Sequence, residues 1–308
     1  MQATSILRRL MPALDSRLPR ILFAISTGVC LQVLVLLTQM GGNPVDALCY
    51  WLTNPADPYN RVDFQFVYPP VAAQLMAPLF TLPFDVFVGL LRLIEVASLV
   101  VLAGPIAAPL LFASPVTAEV NAANINLLLG AVMVLGFRWP ALWAIPLLTK
   151  PSLGVGLIWF VVRGEWRKAA IPIAIAGVLA GGSFLLAPQL WSDWLTLLAN
   201  GTAQVGEAPY PYSIWARLPI ALAIVIWGAR TNRPWTVVVA SALALPRLYF
   251  QSPAILIALI PVLPRLGRIV VPWTYRLARL DTIAPTGGVR RRGESAVPEG
   301  SVAAVPLP

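Results

Sequence analysis

Residues Ile21 to Met40 read ILFAISTGVCLQVLVLLTQM, twenty positions without a charge. A helix of that length rises far enough to cross a hydrocarbon core of roughly 30 Å. The run is too long for a typical signal-peptide apolar region, and no convincing small-residue cleavage site accompanies it. The rest of the chain agrees with this reading. Of 308 residues, 58% are hydrophobic and 11% charged, with mean hydropathy +0.77, whereas soluble domains carry about 25% charged residues. The expected fold class is therefore all-α: a polytopic transmembrane helix bundle.

The formal charge of +9 raises the question of nucleic acid. The basic residues, however, lie between apolar runs and in the last forty positions rather than on one face, as topology signals do, so no nucleic-acid partner is expected. Cys30 lies inside the first span and Cys49 beyond it, a spacing that fits neither a metal site nor a disulfide. Histidine is absent, which removes the commonest acid–base group and metal ligand. No metal or cofactor is expected.

Arg8, Arg9, Arg17 and Arg20 place the N-terminus in the cytosol by the positive-inside rule. The chain can then be walked through the membrane. Residues 41–69 lie outside, Val71 to Pro83 return, and Phe87 to Gly104 go out again. Residues 105–120, broken by Pro105, Pro109 and Pro115, read as outer-leaflet or re-entrant backbone, and Ile125 to Phe137 come back to Arg138. Between Arg138 and the basic turn Arg163-Gly-Glu-Trp-Arg-Lys168 lie 24 residues with Lys150-Pro151 midway, so two short helices are expected to meet near the outer side. Ala169 to Ala187 go out and Ile214 to Gly228 return. A second short pair, Trp235 to Leu245 and Ala254 to Leu266, turns at Pro246 to Pro253. This gives about ten crossings, with both termini cytosolic and 17 of the 22 Lys and Arg on the cytosolic side. Residues 1–20 form a cytosolic lead, 21–266 the membrane domain, and 267–308 a basic tail without apolar periodicity, expected to be largely disordered.

Five cations fall outside the cytosolic segments: Arg61, Arg92, Lys150, Arg217 and Arg247. Arg61, between Asp57 and Asp63, reads as a solvated loop charge. Arg92 has Glu95 one turn later on its helix face, the spacing of an ion pair. Lys150, Arg217 and Arg247 have no sequence-local acid, and three such cations near one membrane face suit an anion such as a lipid-linked phosphate; snorkelling to head groups is the other reading. Asp46 follows the first span and Gly41-Gly42, in the company of Tyr50, Trp51, Tyr59, Phe64, Phe66 and Tyr68. These rings suit stacking on sugars, and equally an interfacial belt. Asn121 and Asn124 can cap a helix or bind hydroxyls. Trp191, Trp194, Leu195 and Leu198 share one stripe, as on an interfacial helix. Asn200-Gly-Thr202 matches a short glycosylation pattern.

The order Asp46-x-x-x-Tyr50, Asp57-Pro-Tyr59 and Phe66-Val-Tyr68-Pro-Pro70, leading into an apolar helix ending in Leu82-Pro83, resembles the bacterial polyprenol-phosphate-mannose-dependent α-mannosyltransferases of glycosyltransferase family 87. Those are polytopic enzymes of the GT-C superfold. Asn121-Ala-Ala-Asn124-Ile-Asn-Leu-Leu-Leu is similar to that family's Gly-Gln-x-Asn-Leu-Leu helix start, and Leu148-Thr-Lys150-Pro151 to its Lys-Pro helix. Ser252-Pro253 also matches in position, although family members commonly carry histidine in that segment. The resemblance runs from about residue 40 to 265. It implies external loops forming an outer-face active site in the plasma (inner) membrane, a polyprenyl-phosphate sugar donor, and a glycan or glycolipid acceptor. It implies Asp46 as general base, Lys150 with Arg247 or Arg217 against the donor phosphate, inversion at the anomeric carbon, and Tyr50, Tyr59, Tyr68, Asn121 and Asn124 about the sugar or acceptor. A transporter or lipid-carrier flippase is the reading from another class, and a degenerate, histidine-free paralogue a third.

Overall fold

The computed structural model describes residues 2–60, 66–199 and 213–283, with the backbone alone for 2–16 and Thr282. The described chain is all-helical, without strands. In chain order the α-helices are α1 Gln2–Gln39, α2 Val45–Trp51, α3 Pro70–Phe80, α4 Phe84–Ala103, α5 Ala107–Leu111, α6 Ser114–Ala122, α7 Asn126–Leu135 and α8 Ala144–Thr149. There follow α9 Ile158–Val162, α10 Trp166–Leu186, α11 Pro188–Ala199, α12 Ile214–Thr231, α13 Trp235–Leu243, α14 Leu259–Val262, α15 Pro264–Val270 and α16 Pro272–Leu277. Short 3₁₀ segments at 104–106, 140–143, 151–157 and 252–258 link several of them.

Four stretches are long and apolar enough to cross a bilayer: Arg17–Gln39, Phe84–Leu111, Trp166–Leu186 and Ile214–Thr231. Two bent pairs, α6 with α7 at 103° and Ser252–Val262 with α15 at 84°, raise the number to six if each is one span. The ten-crossing reading counts the short apolar segments Pro70–Phe80, Pro140–Thr149 and Pro151–Val162 as crossings. At 1.5 Å per residue each is too short to span about 30 Å alone. On α10, Leu185 and Leu186 are 83% and 85% exposed, a side-chain display that lipid accommodates and water does not. The chain is thus a helical membrane protein.

Proline and glycine set the breaks that the sequence signals. Pro69 and Pro70 lie at the start of α3, where a missing N–H costs no helical bond. Lys150 separates the segments 140–149 and 151–162, with Pro151 opening the second. Gly136 and Gly156 stand against the Trp143 ring, and this fully buried side chain anchors a core that includes Phe87, Trp159 and Phe160.

The loops assigned to the cytosol touch one another. Arg163 pairs with Glu165 at 2.8 Å and donates to Asn232 Oδ1, Lys168 pairs with Glu165 at 2.7 Å, and Arg138 donates to the Leu277 carbonyl. Asn232 Nδ2 donates to the Ile283 carbonyl. The packed chain extends past residue 266: α15 and α16 fold back, Tyr275 and Ala278 are buried, and Thr274 donates to the Val101 carbonyl. Arg61, Asp63, Phe64, the Asn200 sequon and the rest of the tail lie outside the described residues.

Candidate active site

Asp46 is the second residue of α2, and the turn before it is held from below. Gly41 and Gly42 take φ of 75° and 58°, a left-handed path open chiefly to glycine. Arg92, 1% exposed, reaches up from α4 and donates to the carbonyls of Leu37, Gly41 and Asn121 at 3.0, 3.2 and 3.1 Å. Asn121 Oδ1 accepts from the Asn43 amide at 3.1 Å. One guanidinium thus joins the end of α1, the glycine turn and the end of α6. Tyr50, one helical turn beyond Asp46, shares a 2.7 Å hydroxyl contact with Tyr68 and donates to Asn124 Oδ1 at 3.4 Å.

The second wall is the break between α6 and α7. Ala123 ends α6 in the left-handed region, turning the chain so that α7 starts inside the protein. Free N–H groups at a buried helix start must be paired. Here two buried carboxylates do it: Glu119 Oε1 accepts from Asn126 N at 2.6 Å, and Glu95 accepts from Leu127 N and Leu128 N at 3.3 and 3.1 Å. Glu119 Oε2 further accepts from Asn126 Nδ2 at 3.0 Å.

The cation enters from the break at 150. Lys150 Nζ donates to Asn126 Oδ1 at 2.7 Å and approaches Asn124 Oδ1 at 3.5 Å, with the Tyr68 ring centroid 5.8 Å away. Glu119, Asp46 and Glu95, in that order, act on its charge. From the fourth side Gln251 Nε2 approaches Asp46 Oδ2 at 3.5 Å. Asn124 lies between the two charges: its oxygen faces the ammonium at 3.5 Å, and its amide lowers the Asp46 carboxyl. Burial pushes the Asp46 carboxyl above its ordinary range, while Lys150 and the hydrogen bonds from Gln251 and Asn124 pull the other way. Asp46 itself is half-buried.

Several sequence expectations change. Arg92 and Glu95 do not pair, because backbone groups at the glycine turn and the start of α7 claim each of them. Lys150 is not free of acids; they arrive from distant segments. Arg217, 6% exposed, donates to the carbonyls of Leu243 and Pro246 at 2.6 and 3.2 Å and so holds the loop after α13. Arg247, in that loop and half-buried, approaches the Tyr249 hydroxyl at 3.5 Å. Tyr50 and Tyr68 are 6% and 5% exposed and pack in the core. Tyr59, half-buried, donates to the Tyr68 carbonyl. Asn121 serves the clasp, and Asp57 accepts from Asn60 within its own loop. On α11, Trp194 donates to the Val67 carbonyl and Leu195 is 58% exposed. Glu119, Asn126 and Gln251 are the site residues that sequence reasoning missed. The signal available was polar residues opening an otherwise apolar helix at 124 and 126.

No metal-holding cluster of three or more His, Cys, Asp or Glu occurs among the described residues. A carboxyl group and an ammonium gathered where the helices break form a polar site of the kind that group-transfer enzymes use. A family model described as glycosyltransferase family 87 matches residues 66–265, and the chain belongs to that family. No curated protein and no solved structure matches it. The match makes the chain a glycosyltransferase rather than a transporter. Asp46 precedes the matched residues, so its place in the site rests on the geometry alone.

Proposed function

We propose that this membrane glycosyltransferase moves a hexose, mannose by the resemblance, from a polyprenyl-phosphate sugar to a hydroxyl of a glycan or glycolipid at the outer face of the plasma membrane. The observation that supports the reading is the gathering of Asp46 and Lys150 about Asn124. In this account Asp46 takes the acceptor hydroxyl proton as that oxygen attacks the anomeric carbon. The bond from that carbon to the donor phosphate oxygen breaks, its electron pair leaves with polyprenyl phosphate, and the anomeric centre inverts. The leaving group is already an anion, so it needs a cation rather than an acid. Lys150 supplies that charge, and Arg247 is the second cation for the phosphate. Arg217 supports the loop that carries Arg247 and Gln251.

The sidedness belongs to the same proposal. Segments 139–162 and 235–263 enter and leave at the cytosolic side, with Lys150 and Arg247 at their tips, and both termini are cytosolic. The contacts of Arg163 with Asn232, of Asn232 with the Ile283 carbonyl and of Arg138 with the Leu277 carbonyl support it, because they link the basic loops assigned to that side with the segment 277–283. The test is a donor screen with purified protein in proteoliposomes. Polyprenyl-phosphate mannose, other polyprenyl-phosphate hexoses and nucleotide sugars are offered with a lipid-linked glycan acceptor. Transfer from a polyprenyl-phosphate sugar is expected; transfer from a nucleotide sugar alone would overturn the donor class.

A further inference from the structure

We propose that Glu119 and Asn126 are positioning residues that aim the Lys150 ammonium into the site. The inference rests on the reading of Lys150 as the cation that receives the donor phosphate. Three buried groups form a chain with a fixed direction. Both Glu119 oxygens accept from Asn126, one from the backbone N–H at 2.6 Å and one from Nδ2 at 3.0 Å. The Asn126 oxygen is thereby turned to Lys150 Nζ at 2.7 Å. A carboxylate can only accept and an ammonium can only donate, so the amide between them has one satisfactory orientation. Glu119 and Asn126 are 0% and 2% exposed, and water does not compete for these bonds.

The backbone makes the chain rigid. Asn126 is the first residue of α7, and the N–H that Glu119 accepts is one that the helix itself cannot pair. Glu95 holds the next two N–H groups from α4. The start of α7 cannot shift without freeing all three, and Lys150, at a break between short helices, takes its direction from it. Lys150 and Glu119 lie 24 and 7 positions from Asn126 along the chain, so three separate segments meet at this point.

The consequence for Glu119→Gln is specific. Glutamine has one acceptor and one donor where the carboxylate has two acceptors. Its oxygen must keep the backbone N–H of residue 126, which cannot turn away. Its NH₂ then faces Asn126 Nδ2, the Asn126 amide flips, and a donor is presented to Lys150. Adding Asn126→Asp exchanges the two functional groups: the new amide at position 119 donates to one oxygen of the new carboxylate at position 126, and Lys150 donates to the other. Charge and number of bonds are as in the native protein. A residue needed only for packing would not be rescued by such an exchange.

The experiment measures binding of polyprenyl phosphate, without a sugar, to detergent-purified protein, so that neither the sugar nor the acceptor need be known. Lys150→Met serves as reference and a melting curve checks each variant. Lys150→Met and Glu119→Gln are each expected to weaken binding by about tenfold, the scale of a lost charge-assisted hydrogen bond, and Glu119→Gln with Asn126→Asp to return it to within about twofold. If Lys150→Met binds as the native protein does, the phosphate role of Lys150 fails and the inference with it. If Lys150→Met weakens binding but Glu119→Gln does not, the positioning chain alone is overturned. If Glu119→Gln does not fold, the double variant decides: native-like binding supports the chain, and folded protein with weak binding refutes it.

Discussion

Gly42→Ala separates the strain of a turn from the contacts it makes. Gly41 and Gly42 both occupy the left-handed region, at φ of 75° and 58°, and an alanine there costs about 1–2 kcal/mol in backbone energy. Beyond that the two positions differ. A Cβ on Gly41 would meet nothing within 4 Å, whereas one on Gly42 would run into Asn121 Oδ1 and lie 2.7 Å from an Arg92 nitrogen. Neither neighbour can retreat cheaply. Asn121 Oδ1 holds the Asn43 amide, and that Arg92 nitrogen holds the carbonyls of Gly41 and Asn121. Losing a hydrogen bond from a charged group costs about 1.5–3 kcal/mol. Gly42→Ala should therefore destabilise the protein by about 2.5–5 kcal/mol and Gly41→Ala by about 1–2 kcal/mol. Denaturation in detergent micelles, followed by tryptophan fluorescence, reads the difference. Transfer activity should fall with Gly42→Ala, because the turn leads directly into Asp46. Equal destabilisation by the two alanines would refute the clasp.

Three further outcomes follow from the site and its setting. Because burial raises the Asp46 carboxyl, the transfer rate should fall on acidification through an inflection above the usual carboxylate value of about 4, as the base becomes protonated; a rate flat to about pH 4 would count against it. The linkage sign separates this from unfolding: a carboxyl raised in the folded state binds its proton more tightly there, so its ionisation lowers stability as pH rises and acidification relieves that cost. Arg217→Met should lower stability by about 1.5–3 kcal/mol by leaving the Leu243 and Pro246 carbonyls without it, and an unchanged thermal midpoint would show that it does not hold the loop. With Cys30 and Cys49 both buried, Asn54→Cys should react with a membrane-impermeant maleimide on intact cells while Arg167→Cys should not; the reverse pattern would invert the topology.

The helical membrane architecture was legible because it rests on local quantities: run length, absence of charge, and proline at the breaks. The same cues located Lys150-Pro151. Asp46 and Lys150 could be singled out as charges where the chain leaves the apolar runs. What could not be read were pairings set by long separations, such as Gln251 with Asp46, 205 positions apart, and Asn124 with Tyr50, 74 apart. Arg92 and Glu95 show why a local rule misleads here. Helical spacing favours their pairing by only about 0.2–0.5 kcal/mol, whereas unpaired backbone groups at a buried turn or helix start cost about 1–3 kcal/mol each. The greater cost of leaving backbone unpaired draws both side chains to it. Tyr50 and Tyr68 are joined in a way the sequence does not show: their hydroxyls satisfy each other inside the core.

The most direct test of the account is Asp46→Asn, assayed for transfer from a polyprenyl-phosphate sugar in proteoliposomes alongside polyprenyl phosphate binding. The substitution preserves shape and removes the base. Transfer should drop by about 10²–10⁴-fold, the usual worth of a positioned general base, while binding and the melting curve stay near native. Transfer at the native rate by a folded Asp46→Asn protein would contradict the mechanism.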